Sequence, residues 1–136
     1  MNKIAVMLVS AAWLSLMVVA PVGAAAPTFG QVVDGVDGSK NTKLAAKENW
    51  KKYKGQEVNW SGVVYQVDTK GSKEAVVYVA DKSRPLYKGY NIKAITTDLE
   101  KAANFKKGQA IRFKGYIDDF DSKNPGAVVE LKETQF

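Results

Sequence analysis

Cysteine and histidine are both missing from this 136-residue chain. Without cysteine there is no disulfide, no thiol nucleophile and no thiol to carry a lipid anchor. Without histidine as well, structural zinc, blue copper, iron–sulfur clusters and haem with a histidine ligand lose their usual ligands, and Ser-His-Asp and Cys-His machinery loses its base. Carboxylate, lysine, tyrosine and arginine chemistry remains. The charge imbalance is mild: 20 basic against 14 acidic side chains, a formal net of +6. The basic residues are spread along the chain. That balance permits an anionic partner without demanding one.

The chain opens Met1-Asn2-Lys3 and then runs almost wholly apolar over residues 4–22, broken by Ser10, Ser15 and Pro21. Val22-Gly23-Ala24 supplies the small residues that a signal peptidase reads. This pattern predicts a secretory signal over residues 1–24, cleaved after Ala24, and a periplasmic or secreted protein with no stable membrane anchor. The competing reading is a retained anchor, since the run is long enough to span a bilayer. Against it, Pro21 and Gly23 break the end of the run, and no basic stop-transfer cluster follows.

Residues 25–41 are rich in glycine and short on periodicity, which predicts a flexible leader. An EF-hand reading of Asp34-Gly35-Val36-Asp37-Gly38 fails, because the third and twelfth positions of such a loop would be Val36 and Ala45. Residues 42–136 are expected to form one folded domain. A helix is predicted over 42–53, with Ala46, Trp50 and Tyr53 on one face, Asn41 or Thr42 as cap and Gly55 as stop. A long strand over 56–67 follows. Its apolar phase shifts after Gly62, from Val58 and Trp60 to Val63, Tyr65 and Val67, which predicts a bend or bulge at that glycine.

Further strands are predicted over 75–80 and 90–95, the latter with Tyr90, Ile92 and Ala94 on one face and Asn91 and Lys93 on the other. Thr97-Asp98-Leu99-Glu100 reads as a capping box opening a short helix. The stretch 109–117 alternates cleanly, Ile111, Phe113, Gly115 and Ile117 facing in. An acidic loop over 118–126 leads to a last strand over 127–131. Trp60, Val63, Val77, Ile92, Leu99, Ile111, Phe113 and Leu131 form the expected core. A leading helix, three strands, a short helix and two strands is the order of the OB-fold, a five-stranded Greek-key barrel.

Two runs carry a resemblance. Lys54-Gly55-Gln56-Glu57-Val58-Asn59-Trp60-Ser61-Gly62-Val63-Val64 resembles the first strand of exported bacterial OB-fold domains of the tRNA-anticodon-like group. Lys107-Gly108-Gln109-Ala110-Ile111-Arg112-Phe113-Lys114-Gly115-Tyr116-Ile117 resembles the fourth strand of the same group. The likeness covers roughly residues 53–131. It implies the barrel and does not carry a function.

An OB barrel commonly binds on the outer face of strands two and three. The residues expected there are Tyr65, Tyr78, Arg84, Tyr87, Lys88 and Lys93. The favoured reading is a small exported binding module without catalytic activity or cofactor, recognising a protein, glycan or small ligand of the cell envelope. An unidentified envelope protein or an anionic ligand would be its partner. The alternative is a single-stranded nucleic-acid binder, which needs stacking aromatics in a basic groove. The loop over 118–126 is expected to bring Asp118, Asp119 and Asp121 to the same rim, where they would repel phosphates. A calcium-dependent enzyme is the third reading. It is disfavoured because only Arg84 and Arg112 supply guanidinium groups and no carboxylate pair has matching spacing. No metal site is expected.

Overall fold

The computed structural model describes residues 25–136, so the predicted signal lies outside the described residues. Two helices lead, α1 (Phe29–Val36) and α2 (Lys43–Tyr53). Strands β1 (Glu57–Lys70), β2 (Glu74–Ala80) and β3 (Ile92–Thr96) follow, then α3 (Leu99–Ala103), β4 (Ala110–Ser122) and β5 (Ala127–Gln135). The strands close into a barrel in the order β1-β2-β3-β5-β4, with β4 returning to β1. All pairs are antiparallel except β3 with β5. This is the five-stranded OB-fold barrel, with its helix between β3 and β4.

β1 serves two neighbours. Residues from Glu57 to Val63 pair with β4, and residues from Val63 to Lys70 pair with β2. The irregularity in β1 lies between Val64 and Gln66, not at Gly62, which pairs regularly with Ile111. Tyr65 is the extra residue of a β-bulge. Val58, Trp60 and Val64 therefore point inward on one phase, and Val67 packs against the core on the other. Gly62 is needed for another reason. A Cβ there would lie 2.5 Å from Val79 Cγ1 and 2.8 Å from the Ala80 carbonyl oxygen.

β4 alternates as expected, with Ile111, Phe113 and Ile117 buried. Its cross-strand partner at the centre is Trp60, opposite Phe113. Of the expected core, Trp60, Val77, Ile92, Ile111, Phe113 and Leu131 are buried together. Val63 is only half-buried. Leu99 is 42% exposed. The helix cap is Asp98, whose carboxylate accepts from Lys101 N, rather than Thr97. A one-residue shift turns a helix by about 100°, and it is Ala102 that faces the core.

The segment expected to be a flexible leader is folded into this core. Thr28 and Gln31 form a capping box at the start of α1. Phe29, Val32, Val33 and Val36 are buried on one helical stripe. Phe29 packs edge-on to Trp60 at 5.3 Å between ring centroids, and Trp60 Nε1 donates to the Pro27 carbonyl at 3.1 Å. Arg84 donates twice to the Asp34 carboxylate, both at 2.9 Å. Ser122 Oγ donates to the Val36 carbonyl at 2.7 Å, and Gly38 N to the Lys123 carbonyl at 2.9 Å. Helix α2 is capped by Thr42 and lays Ala46 and Trp50 on the barrel, Trp50 against Phe120 at 4.5 Å.

Candidate functional site

The outer face over β1, β2 and β3 gathers tyrosines, and two local irregularities put them there. The first is the bulge that turns Tyr65 outward, leaving it 43% exposed. The second is the turn Tyr87-Lys88-Gly89-Tyr90. Tyr87 N donates to the Tyr90 carbonyl at 2.7 Å and Tyr90 N to the Tyr87 carbonyl at 3.1 Å. Lys88 and Gly89 both have positive φ, 52° and 98°, the pattern of a two-residue hairpin turn. The Tyr65 ring lies over Gly89 so closely that any Cβ at Gly89 would collide with it.

Tyr90 is the centre of the group. Its ring stands 4.8 Å from that of Tyr78, edge to face, and 6.0 Å from those of Tyr65 and Tyr87. Tyr78 on β2 pairs with Lys93 on β3, so that lysine flanks the rings. Lys88 Nζ lies 5.2 Å from the Tyr87 ring centroid and Lys123 Nζ 3.9 Å from it. Such distances allow a cation–π contact. Lys123 is held there by Asp121, 2.9 Å away, and that hydrogen bond keeps its ammonium above the usual lysine range.

Five of the six expected site residues, Tyr65, Tyr78, Tyr87, Lys88 and Lys93, thus meet on one face. Arg84 does not join them. Its guanidinium turns to Asp34 and fastens α1. The same contact chiefly holds the Asp34 carboxyl below its ordinary value.

Tyr90 and Lys123 belong to the site and were not foreseen. Tyr90 was expected to face inward with Ile92. In fact β3 begins at Ile92, and it is Asn91 that is buried. Its side chain accepts from Asp81 N at 2.9 Å and donates to the Asp81 carbonyl at 2.8 Å and the Pro85 carbonyl at 3.2 Å. The Lys-Gly pair between two tyrosines was the available signal for the turn. Lys123 had none, since only the β4–β5 hairpin brings it near.

The three aspartates do not form an acidic rim. β4 runs on to Ser122, so they lie on a strand rather than in a loop. Asp118 faces Lys132 at 3.8 Å, Asp119 accepts from Phe120 N at 2.8 Å, and Asp121 holds Lys123. Among the described residues no group of three or more acidic side chains is placed to hold a metal ion.

Arg84 and Arg112 do share an open polar cleft of about 670 Å³, with Asn59, Ser61, Asp81 and Ser83. Its one carboxylate, Asp81, is engaged by the Ser83 N–H and hydroxyl at 2.9 and 2.6 Å.

Fold and face together define a small OB-fold domain with an aromatic and basic outer surface. No protein-family model matches the chain, and no curated protein does. Among solved structures, the chain is similar to asparaginyl-tRNA synthetase from Pyrococcus horikoshii, with a TM-score of 0.45, 19% identity, and coverage of 62% of this chain and 20% of the synthetase. The same enzyme complexed with asparaginyl-adenylate gives 0.45 and 18%, covering 62% of this chain and 19% of that one. The chain therefore spans about a fifth of the length of these synthetases.

Proposed function

We propose that this chain is an exported, non-catalytic binding module that takes an anionic ligand of the cell envelope on its tyrosine face. The observation that carries the reading is the cluster around Tyr90, three further tyrosine rings with Lys88, Lys93 and Lys123 beside them. Aromatic rings offer flat apolar area to the C–H face of a sugar ring, and ammonium groups pair with carboxylate or phosphate. An acidic glycan meets both requirements.

Single-stranded nucleic acid is the second reading, and the mixture of rings and lysines favours it. The ring geometry argues for the glycan instead, since a sugar can stack on a single open ring and Tyr65 is the exposed one of the four. Tyr78, Tyr87 and Tyr90 are half-buried and packed against one another, Tyr78 and Tyr87 edge-on to Tyr90. Successive bases each need an open ring face.

The test is an NMR titration of the isotopically labelled protein with a uronic-acid oligosaccharide and, separately, with a single-stranded oligonucleotide. Amide shifts at Tyr65, Tyr78, Lys88, Tyr90 and Lys93 on adding the glycan, lost in Tyr90→Ser, are expected. Shifts produced by the oligonucleotide alone, weakening steeply with salt, would replace the first reading with the second. No shift on this face with either would end both.

A further inference from the structure

The bulge in β1 leaves a second surface on the other side of the strand. Pairing with β4 stops at Val63, and the last bonds on that side join Val64 to Gly108 and Gln109 at 2.8 Å. Beyond this, β1 has β2 as its only strand partner among the described residues. In an antiparallel ladder alternate residues turn both backbone groups to the neighbour or both away. Val79 gives its carbonyl to Asn91 N, toward β3. Counting along β2, Val77 and Ala75 face β3 too, and their partners Val67 and Thr69 turn away from β2. Thr69 N is instead bonded to the Asp68 carboxylate at 2.8 Å. The Val67 N–H and the carbonyls of Val67 and Thr69 are left along an open edge.

Against this edge runs a groove of about 660 Å³. Its walls include Val64, Val67, Ala102, Phe105 and the exposed Leu99, with Lys107 at the rim. An open strand edge is a template for another strand. The groove holds one carboxylate, Asp68, which turns back to Thr69 N, and one cation, Lys107, which can pair with an acidic residue of an incoming chain.

We infer that this groove binds an extended peptide segment of a partner protein. The segment adds to β1 as a short strand. Alternate apolar side chains enter the groove beside Ala102 and Phe105, and an acidic residue meets Lys107. Because α3 walls one side, the space suits a single extended chain better than the edge of a second barrel, which would bring its own α3 with it.

The probe is a short fluorescein-labelled peptide that alternates valine and threonine and carries one glutamate, followed by fluorescence anisotropy against the full chain. Ala103 lines the groove and is exposed on α3, so Ala103→Arg fills the groove without touching the core. Saturable binding is expected, about ten-fold weaker for Ala103→Arg, for Lys107→Glu and for a peptide N-methylated at alternate amides. Tyr90→Ser is expected to leave it unchanged, which separates this site from the tyrosine face. Absence of binding, or equal binding by the filled variant or the N-methylated peptide, would overturn the inference. Self-association in sedimentation that Ala103→Arg abolishes would overturn it in favour of a second copy of the chain.

Discussion

Truncating Phe29 to alanine asks whether α1 belongs to the domain. The ring is buried on the inner stripe of α1 and stands edge-on to Trp60, which lies opposite Phe113 at the middle of the β1–β4 ladder. Removing a buried phenylalanine costs about 3–5 kcal/mol through lost transfer energy and the cavity left behind. An edge-to-face aromatic pair adds about 0.5–1.5 kcal/mol beyond its buried area. The full cost appears only if α1 unfolds with the barrel. If α1 lets go first, the loss is capped at the free energy that docks it, and the barrel melts nearly as before.

Urea unfolding followed by tryptophan fluorescence measures the global loss, and amide exchange at Val32, Val33 and Val36 reports α1 itself. We expect a fall of about 3 kcal/mol or more at constant m, with the α1 amides exchanging at the global rate. A loss under about 1 kcal/mol, with those amides exchanging freely in the wild type, would refute the reasoning. It would restore the loose leader.

Phe113→Ala should cost about 3–5 kcal/mol in the same assay, and a loss under about 1 kcal/mol would place Phe113 outside the core. Arg84→Gln tests the clamp on α1 by its pH dependence. Arg84 lowers the Asp34 carboxyl in the folded state, so the stabilisation is present above the unfolded value and lost as pH falls through the folded one, below about pH 4. The variant should be less stable than wild type at neutral pH, with the difference closing in acid. A difference that persists unchanged at about pH 2 would show that charge is not its cause. Gly89→Ala meets both a positive φ and the Tyr65 ring. It should cost about 1–3 kcal/mol and change the near-ultraviolet circular dichroism of the tyrosines, whereas an unaltered spectrum would mean that Tyr65 does not lie over the turn.

The barrel was legible because β4 alternates without interruption and because Gly55 and Gly108 stand ahead of β1 and β4, each with a positive φ. Helix α1 was legible in principle. Phe29, Val32, Val33 and Val36 stand at helical spacing, but Gly30 and Gly35 lie among them and mark a loop by composition. Tertiary contacts explain both glycines. A Cβ on Gly30 would meet Arg84 Nη2 at 2.6 Å, and one on Gly35 would meet the Tyr53 ring at 3.2 Å. Both glycines sit in close tertiary contact, so glycine there accompanies packing rather than looseness. Leu99 went astray for a smaller reason, the competition of Thr97 and Asp98 for one cap.

Both candidate surfaces trace to one residue of β1. A phase shift was visible in the sequence, and glycine was the natural place to put it. Placed at Gly62, it would have turned Tyr65 inward beside Val63 and Val67. The bulge instead takes Tyr65 out of the ladder, so that Val64 and Val67 both reach the core on either side of it. The tyrosine then has its outward direction from the bulge and its resting place from Gly89, two positions 24 residues apart in sequence that meet because β2 and the loop after it return the chain to β1. The same step decides which backbone groups of β1 face the open edge. With β1 regular through residue 65 and the remaining pairs slipped by one, Val67 would point its amide at β2 and leave the backbone groups of Gln66 and Asp68 along the open edge instead. The aromatic face and the strand edge are therefore not independent features of this barrel. Each requires β1 to carry one residue more than its partner.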